Sequence, residues 1–258
     1  MPAPARIVIS YEFPLNERVR TLLRLEDLFD KALYFSAKPE SIEHHVALIS
    51  LFEILEVAGR ADLKSDLVQE LERQKQALEA LRDNPQISHE ALDKVLRDID
   101  TTSRGLLDMA GKIGQHVRDN EWLMSIKQRT SIPGGVCEFD LPSYHFWLHQ
   151  DPELRRQNLM GWIGPLLPIR DGIAIVLRLL RDSGKTAKYV ALQGVYQQML
   201  AGRMAQMVRL KLAMDLPCVP EMSANKYALN IRFTTPGTLQ RPRVFESDVE
   251  FELTFCNL

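Results

Sequence analysis

The hydrophobic period of this chain changes twice, and the later change most limits the folds open to it. From Asn16 to Gly184 the apolar residues recur every three or four positions, as on one face of a helix; from Tyr189 onward they recur every second position, as in a half-buried strand. Val208, Leu210, Leu212 and Met214 alternate with Arg209, Lys211 and Ala213. Tyr227, Leu229, Ile231 and Phe233 alternate with Lys226, Ala228, Asn230 and Arg232, and Val249, Phe251, Leu253 and Phe255 alternate with Glu250, Glu252 and Thr254. Strands of this kind bury one face and suit a small antiparallel sheet, with turns expected at Thr235-Pro-Gly237 and at 217–220. Residues 6–13 are rich in β-branched and aromatic side chains and stop at Pro14. They predict a strand that needs a partner, which the C-terminal sheet supplies. The fold class is therefore α+β: an α-helical bundle domain over 14–185, then a smaller antiparallel β domain over 186–258, completed by an N-terminal strand at 5–13.

Within the helical region, Asn16 is expected to cap a helix that turns Val19, Leu22, Leu23 and Phe29 inward and Arg20 and Arg24 outward. Ser41 is expected to cap the next. Its Val46, Leu48, Ile49, Leu51, Phe52, Ile54, Leu55 and Val57 leave almost no polar face, so this helix belongs at the centre of the bundle. Leucines 67, 71, 78 and 81, then Leu92, Val95, Ile99, Leu106 and Met109 after a turn at Asp83-Asn-Pro85, form two heptad-like stripes. They predict an antiparallel helical hairpin at 63–110. Asp151-Pro152-Glu153 is a helix start, and Pro165 and Pro168 should break or kink the helix beyond it. Between these lies 131–149, which turns at Pro133-Gly134-Gly135, permits a short strand at 136–139 and restarts a helix after Asp140. It reads as a junction, with the aromatic run Tyr144-His-Phe-Trp147 packing between the two regions.

Chemistry is sparse. The formal net charge of -2 over 258 residues offers no general attraction to nucleic acid or to an anionic membrane. Cys137, Cys218 and Cys256 are far apart and in no metal-ligand spacing, which suits a reducing cytoplasm. No apolar run approaches the roughly 20 residues of a membrane span, so no membrane partner is expected. His145 and His149 share the i, i+4 spacing of zinc sites, but Phe146 stands where the catalytic pattern needs glutamate and no third ligand is near in sequence. Neither a metal nor another cofactor is expected. Gly184-Lys185-Thr186 resembles the tail of a phosphate loop, yet the required earlier glycine is Leu179. A serine, histidine and aspartate triad is not legible in sequence, because its members are often distant. What stands out is charge placement: between Arg203 and Arg243 seven bases face only Asp215 and Glu221. The excess is expected on one sheet face, with Lys226 and Arg232 on the same side. That face is either simply solvated or a patch for an acidic peptide or a nucleic acid.

Several segments in order, Phe13-Pro-Leu-Asn-Glu17, Arg20-Thr-Leu-Leu-Arg-Leu-Glu26, Glu70-Leu-Glu-Arg-Gln74, Ile113-Gly-Gln115, Gln128-Arg-Thr-Ser-Ile-Pro-Gly-Gly135, Phe139-Asp-Leu-Pro142, His145-Phe-Trp-Leu-His149 and the strand from Tyr227 to Phe233, resemble the ZapD family of bacterial cell-division proteins. The resemblance covers nearly the whole chain. It implies a non-enzymatic cytoplasmic homodimer that binds the C-terminal tail of the tubulin-like protein FtsZ and bundles its filaments at the mid-cell division ring. It further implies a basic tail-binding pocket at Arg60, Lys226 and Arg232. Lys226 stands where arginine is frequent, which keeps the charge and loses the bidentate fork. Arg24, Arg118 and His145 match positions of a secondary contact or of the dimer interface, with Glu121 standing where some relatives have arginine. A nucleic-acid-binding module using the same basic sheet is the alternative, although no nucleic-acid partner is expected.

Overall fold

A computed structural model of the protein describes residues 7–59, 62–85, 87–200, 202, 205–237 and 241–258. The chain divides into two compact units, one formed by 21–176 and the other by 1–20 together with 177–258.

The first unit is helical. Helix α1 (Glu17–Ser36), most of which lies here, is followed by α2 (Ser41–Ala58), α3 (Leu63–Glu79) and α4 (His89–Asp108). Then come α5 (Gln115–Arg118), α6 (Glu121–Thr130), α7 (Pro142–Leu148), α8 (Pro152–Ile163) and the beginning of α9 (Leu167–Asp182). As its composition requires, α2 is the central helix: Ala47, Leu48, Leu51, Ile54 and Leu55 are all fully buried, and it packs on α8 and α6. The residue that starts it is Glu40 rather than Ser41. The Glu40 backbone N–H donates to the Glu43 carboxylate at 3.2 Å, a reciprocal contact that a serine-first reading overlooks. Helices α3 and α4 pair antiparallel, with Lys75 on Asp100 at 2.7 Å and Arg82 on Asp93 at 3.1 Å marking the register. Pro165 produces a single 3-10 turn at Gly164–Leu166 before α9 begins.

Two expectations for 131–149 are corrected. Residues 136–139 form successive turns, not a strand, because the backbone N–H groups of Asp140 and Leu141 both donate to the Cys137 carbonyl at 3.0 Å and close the chain on itself. The aromatic run is core of the helical unit and not a junction. Tyr144 and Trp147 are buried and stack at 5.8 Å, with Trp122 and Trp162 against them. The Tyr144 hydroxyl and His45 Nδ1 share a hydrogen bond at 2.7 Å, and the Trp147 indole donates to Asn158 at 3.0 Å. Beside this cluster Arg155 of α8 is only 5% exposed and has no carboxylate partner among the described residues. Its Nε donates to His44 Nδ1 at 2.9 Å, and its terminal nitrogens donate to the carbonyls of Leu148, Gln150 and Pro39, the last at 2.6 Å. One guanidinium thus ties the entry of α2 to the end of α7.

This arrangement has a pH consequence. Burial lowers the pKa of His44, and the positive charges of Arg155 and Arg156 add to the effect; burial alone lowers that of His45. His44 accepts from Arg155, so protonating it sets one N–H against another. Both folded values lie below the ordinary imidazole value of about 6.5. The stability held in these two neutral rings is therefore fully present above that pH and is lost as pH falls through it toward the folded values. A urea midpoint lower at pH 5.5 than at pH 7.5, with most of the difference removed in a His44→Gln variant, is the expected result. Equal midpoints would contradict it.

The second unit contains two antiparallel sheets. Strands β1 (Val8–Pro14), β4 (Met207–Ala213), β7 (Val249–Cys256) and β2 (Lys185–Ala191) form the first, in the order β1-β4-β7-β2. Strands β3 (Val195–Met199), β6 (Ala228–Thr234) and β5 (Val219–Ala224) form the second, in the order β3-β6-β5. The N-terminal strand does join the C-terminal sheet, pairing Val8 with Ala213 and Phe13 with Val208. Leu210, Leu212 and Leu253 of the first sheet and Leu229, Ile231 and Phe233 of the second belong to one core, so the two sheets close over shared inner faces. The segment 217–220, expected as a turn, runs into β5. Pro220 is tolerated there because β5 is an edge strand and needs no donor on its free side.

Candidate functional site

The outer face of the second sheet is set by alternation. Because Leu229, Ile231 and Phe233 point to the core, Ala228, Asn230 and Arg232 point away from it. Register places Val195 of β3 on one side of Arg232 and Glu221 of β5 on the other. Arg232 is exposed and makes no hydrogen bond or ion pair among the described residues. The Glu221 carboxylate instead accepts from the Thr234 hydroxyl at 3.5 Å. Lys226 is not on the strand. It sits in the bend before β6, where the Asn225 side chain accepts from the N–H groups of Tyr227 and Ala228 at 2.8 and 2.9 Å, and its Nζ lies 4.7 Å from the Tyr227 ring centroid. Strand alternation therefore does not govern the side on which Lys226 lies, contrary to the expectation from sequence.

Nor does the basic excess occupy one sheet face. Arg209 and Lys211 belong to β4 in the first sheet. There Glu12 of β1 holds Arg209 at 3.1 Å and Arg181 at 2.8 Å, and Lys211 pairs in register with Glu252. Glu12 thus neutralises part of the first sheet, whereas Lys211, Lys226, Arg232, Arg241 and Arg243 make no ion pair among the described residues, and Glu221 stands across from Arg232 in register.

The remaining candidates lie in the helical unit. Arg118 donates to the carbonyls of Ile113 at 2.7 Å and Leu55 at 2.8 Å, so its guanidinium satisfies the C-terminal end of α2. Gly114 is required beside it: its φ is +72°, and a Cβ there would collide with a Leu55 methyl. Arg24 is exposed on α1 and makes no hydrogen bond or ion pair among the described residues. His145 lies 3.7 Å from Glu138, and its ring is 4.4 Å from that of His149, whose Nδ1 bonds to the His145 carbonyl at 2.9 Å. No group of three potential metal ligands occurs among the described residues. Arg60 lies outside the described residues.

Sequence reasoning missed the neighbours of Arg232 on β3. The signal was weak because the β2–β3 turn is Gln193-Gly194, with φ of +46° and +73°, in place of the Asn-Gly or Asp-Gly that announces such a hairpin.

Together these features define a two-unit α+β protein with exposed cations on and beside its second sheet. The family model of the cell division protein ZapD matches residues 23–232. Cell division protein ZapD of Dechloromonas aromatica is 62% identical over 252 residues, covering 97% of this chain and 100% of that protein. Its counterpart in Azoarcus sp. is 61% identical over 251 residues, with 97% and 100% covered, and that of Nitrosomonas europaea 58% over 251, with 97% and 96% covered. The chain belongs to the ZapD family and is a cell-division factor. No helix among the described residues is long and apolar enough to cross a membrane.

Proposed function

We propose that the protein is a non-enzymatic homodimer of the cytoplasm that binds the C-terminal tail of FtsZ and cross-links FtsZ filaments at the mid-cell division ring. The observation that carries this reading is Arg232, an exposed guanidinium on the middle strand of the second sheet that makes no hydrogen bond or ion pair among the described residues, with Glu221 across from it on β5. Lys226 supplies a second cation near the start of the same strand, and Arg60 is the third position to which the resemblance to relatives points. A guanidinium left unpaired on a rigid strand is preorganised to accept a ligand carboxylate through two parallel hydrogen bonds. Arg24 and His145 are assigned to a secondary contact or to the dimer interface. Arg118 is assigned a supporting role there, since its donors are engaged by carbonyls.

Bundling follows from bivalency. A dimer with a two-fold axis presents the same surface twice, and many tails along one filament raise the effective concentration for the second contact. Sites of modest affinity then suffice. Because the contact is charge-assisted and exposed, it is screened: between about 0.05 and about 0.5 M salt the Debye length shortens roughly threefold. Light scattering of polymerised FtsZ mixed with this protein should show bundles at the lower salt and lose them at the higher. Bundling that is indifferent to salt would overturn the electrostatic account.

A further inference from the structure

The hairpin that joins β5 to β6 turns on Lys226 and Tyr227, and neither is an ordinary residue for so short a loop. Asn225 and Ala228 close it, the Asn225 N–H donating to the Ala228 carbonyl at 3.0 Å. Two-residue hairpin loops usually take a positive φ at one or both loop positions, which is why Asn-Gly and other glycine-containing pairs fill them. Lys226 and Tyr227 both keep negative φ. The Asn225 side chain supplies the alternative. Its Oδ1 accepts from the N–H groups of Tyr227 and Ala228 at 2.8 and 2.9 Å, an Asx turn that replaces the usual closure through a main-chain carbonyl. From the other side the Leu200 N–H, just past β3, donates to the Tyr227 carbonyl at 2.6 Å. The backbone around Lys226 is thus held twice. Its ammonium lies 4.7 Å from the centroid of the Tyr227 ring, a side chain that is itself 60% exposed.

We infer that Asn225 is a positioning residue for Lys226 and that the Tyr227 ring restrains the ammonium, so that the hairpin tip meets the tail with its charge already placed. The inference rests on the tail-binding reading above and adds two residues to it. Lysine has a long, rotamer-rich side chain, and ordering it only on contact costs affinity. The Asx turn fixes the direction in which that side chain leaves the backbone, and the ring narrows its excursions. A ring face attracts the charge without supplying a carboxylate, so the ammonium keeps N–H donors for one that the ligand brings.

The test is a double-mutant cycle read by fluorescence anisotropy with a labelled FtsZ tail at low salt. It uses the full-length protein as wild type, Asn225→Ala, Lys226→Met and the double variant, with a thermal melt of each. Asn225 is exposed at a hairpin tip, so the fold is expected to survive its loss. Asn225→Ala should weaken binding roughly threefold to fivefold in the wild-type background and change nothing once residue 226 is methionine, because no cation is then left to place. Asn225→Ser, whose hydroxyl still accepts, should recover part of the loss. Tyr227→Phe should match wild type, whereas Tyr227→Leu should fall with Asn225→Ala. A loss of equal size in both backgrounds would show that Asn225 acts on the fold and not through Lys226, and would overturn the inference. Wild-type affinity in Asn225→Ala would overturn it too and leave the tail reading intact. No binding of the tail by wild-type protein would remove the tail reading and the inference together.

Discussion

Arg232→Glu is expected to weaken binding of the FtsZ tail by roughly a hundredfold while the protein stays folded. The substitution removes a charge-assisted hydrogen-bonding contact, for which about 1.5–3 kcal/mol is typical, and it places a second carboxylate directly across from Glu221 on the adjacent strand. Like charges then face an acidic ligand. The cost to folding is small, because the Arg232 side chain is exposed and makes no hydrogen bond or ion pair among the described residues. Arg232→Lys should fall between the two, keeping the charge and losing the planar fork. A tail titration beside a thermal melt of each variant separates the effects. Wild-type affinity in Arg232→Glu would remove this residue from the site.

Arg155→Ala should act in the opposite way, on stability and not on the sheet surface. The side chain is buried, and its loss removes the donor from the carbonyls of Pro39, Leu148 and Gln150 and from the Nδ1 of His44. A cost of about 3–5 kcal/mol is expected, at the upper end for single substitutions. For a chain of this size that corresponds to a fall in melting temperature on the order of 10 °C. The removed guanidinium also ties α2 to the end of α7, so the near-ultraviolet signal of the Tyr144 and Trp147 cluster should loosen with it. A loss below about 1 kcal/mol would mean that Arg155 merely fills space. Tail affinity of the folded fraction should not change.

These two arginines also show what the sequence reveals and what it hides. Arg232 was legible because strand alternation is local: once Leu229, Ile231 and Phe233 are recognised as inward, the intervening residues must face out. The central position of α2 was legible for the same reason, since a helix apolar on every side has nowhere else to go. Arg155 reads as an ordinary surface residue of an amphipathic helix. Three of its four partners are main-chain oxygens, from Pro39 and from the 148–150 segment, and a carbonyl leaves no trace in the identity of its residue. The division of the β strands into two sheets was hidden likewise, because alternation says which face is buried but not which strand lies alongside. Arg209 and Arg232 therefore looked like one basic face, whereas β4 and β6 belong to different sheets and Glu12, far away in sequence, neutralises the first of the two. Val195 and Met199 lay behind a hairpin turn built on Gln193-Gly194, a pair that carries little turn signal.

Co-sedimentation of this protein with polymerised FtsZ, beside FtsZ lacking its C-terminal tail, tests the central claim most directly. At low salt the account predicts that the protein pellets with intact filaments and stays in the supernatant with the truncated ones. Equal pelleting with both would show that the contact lies elsewhere on the filament, and pelleting with neither would contradict the FtsZ reading altogether.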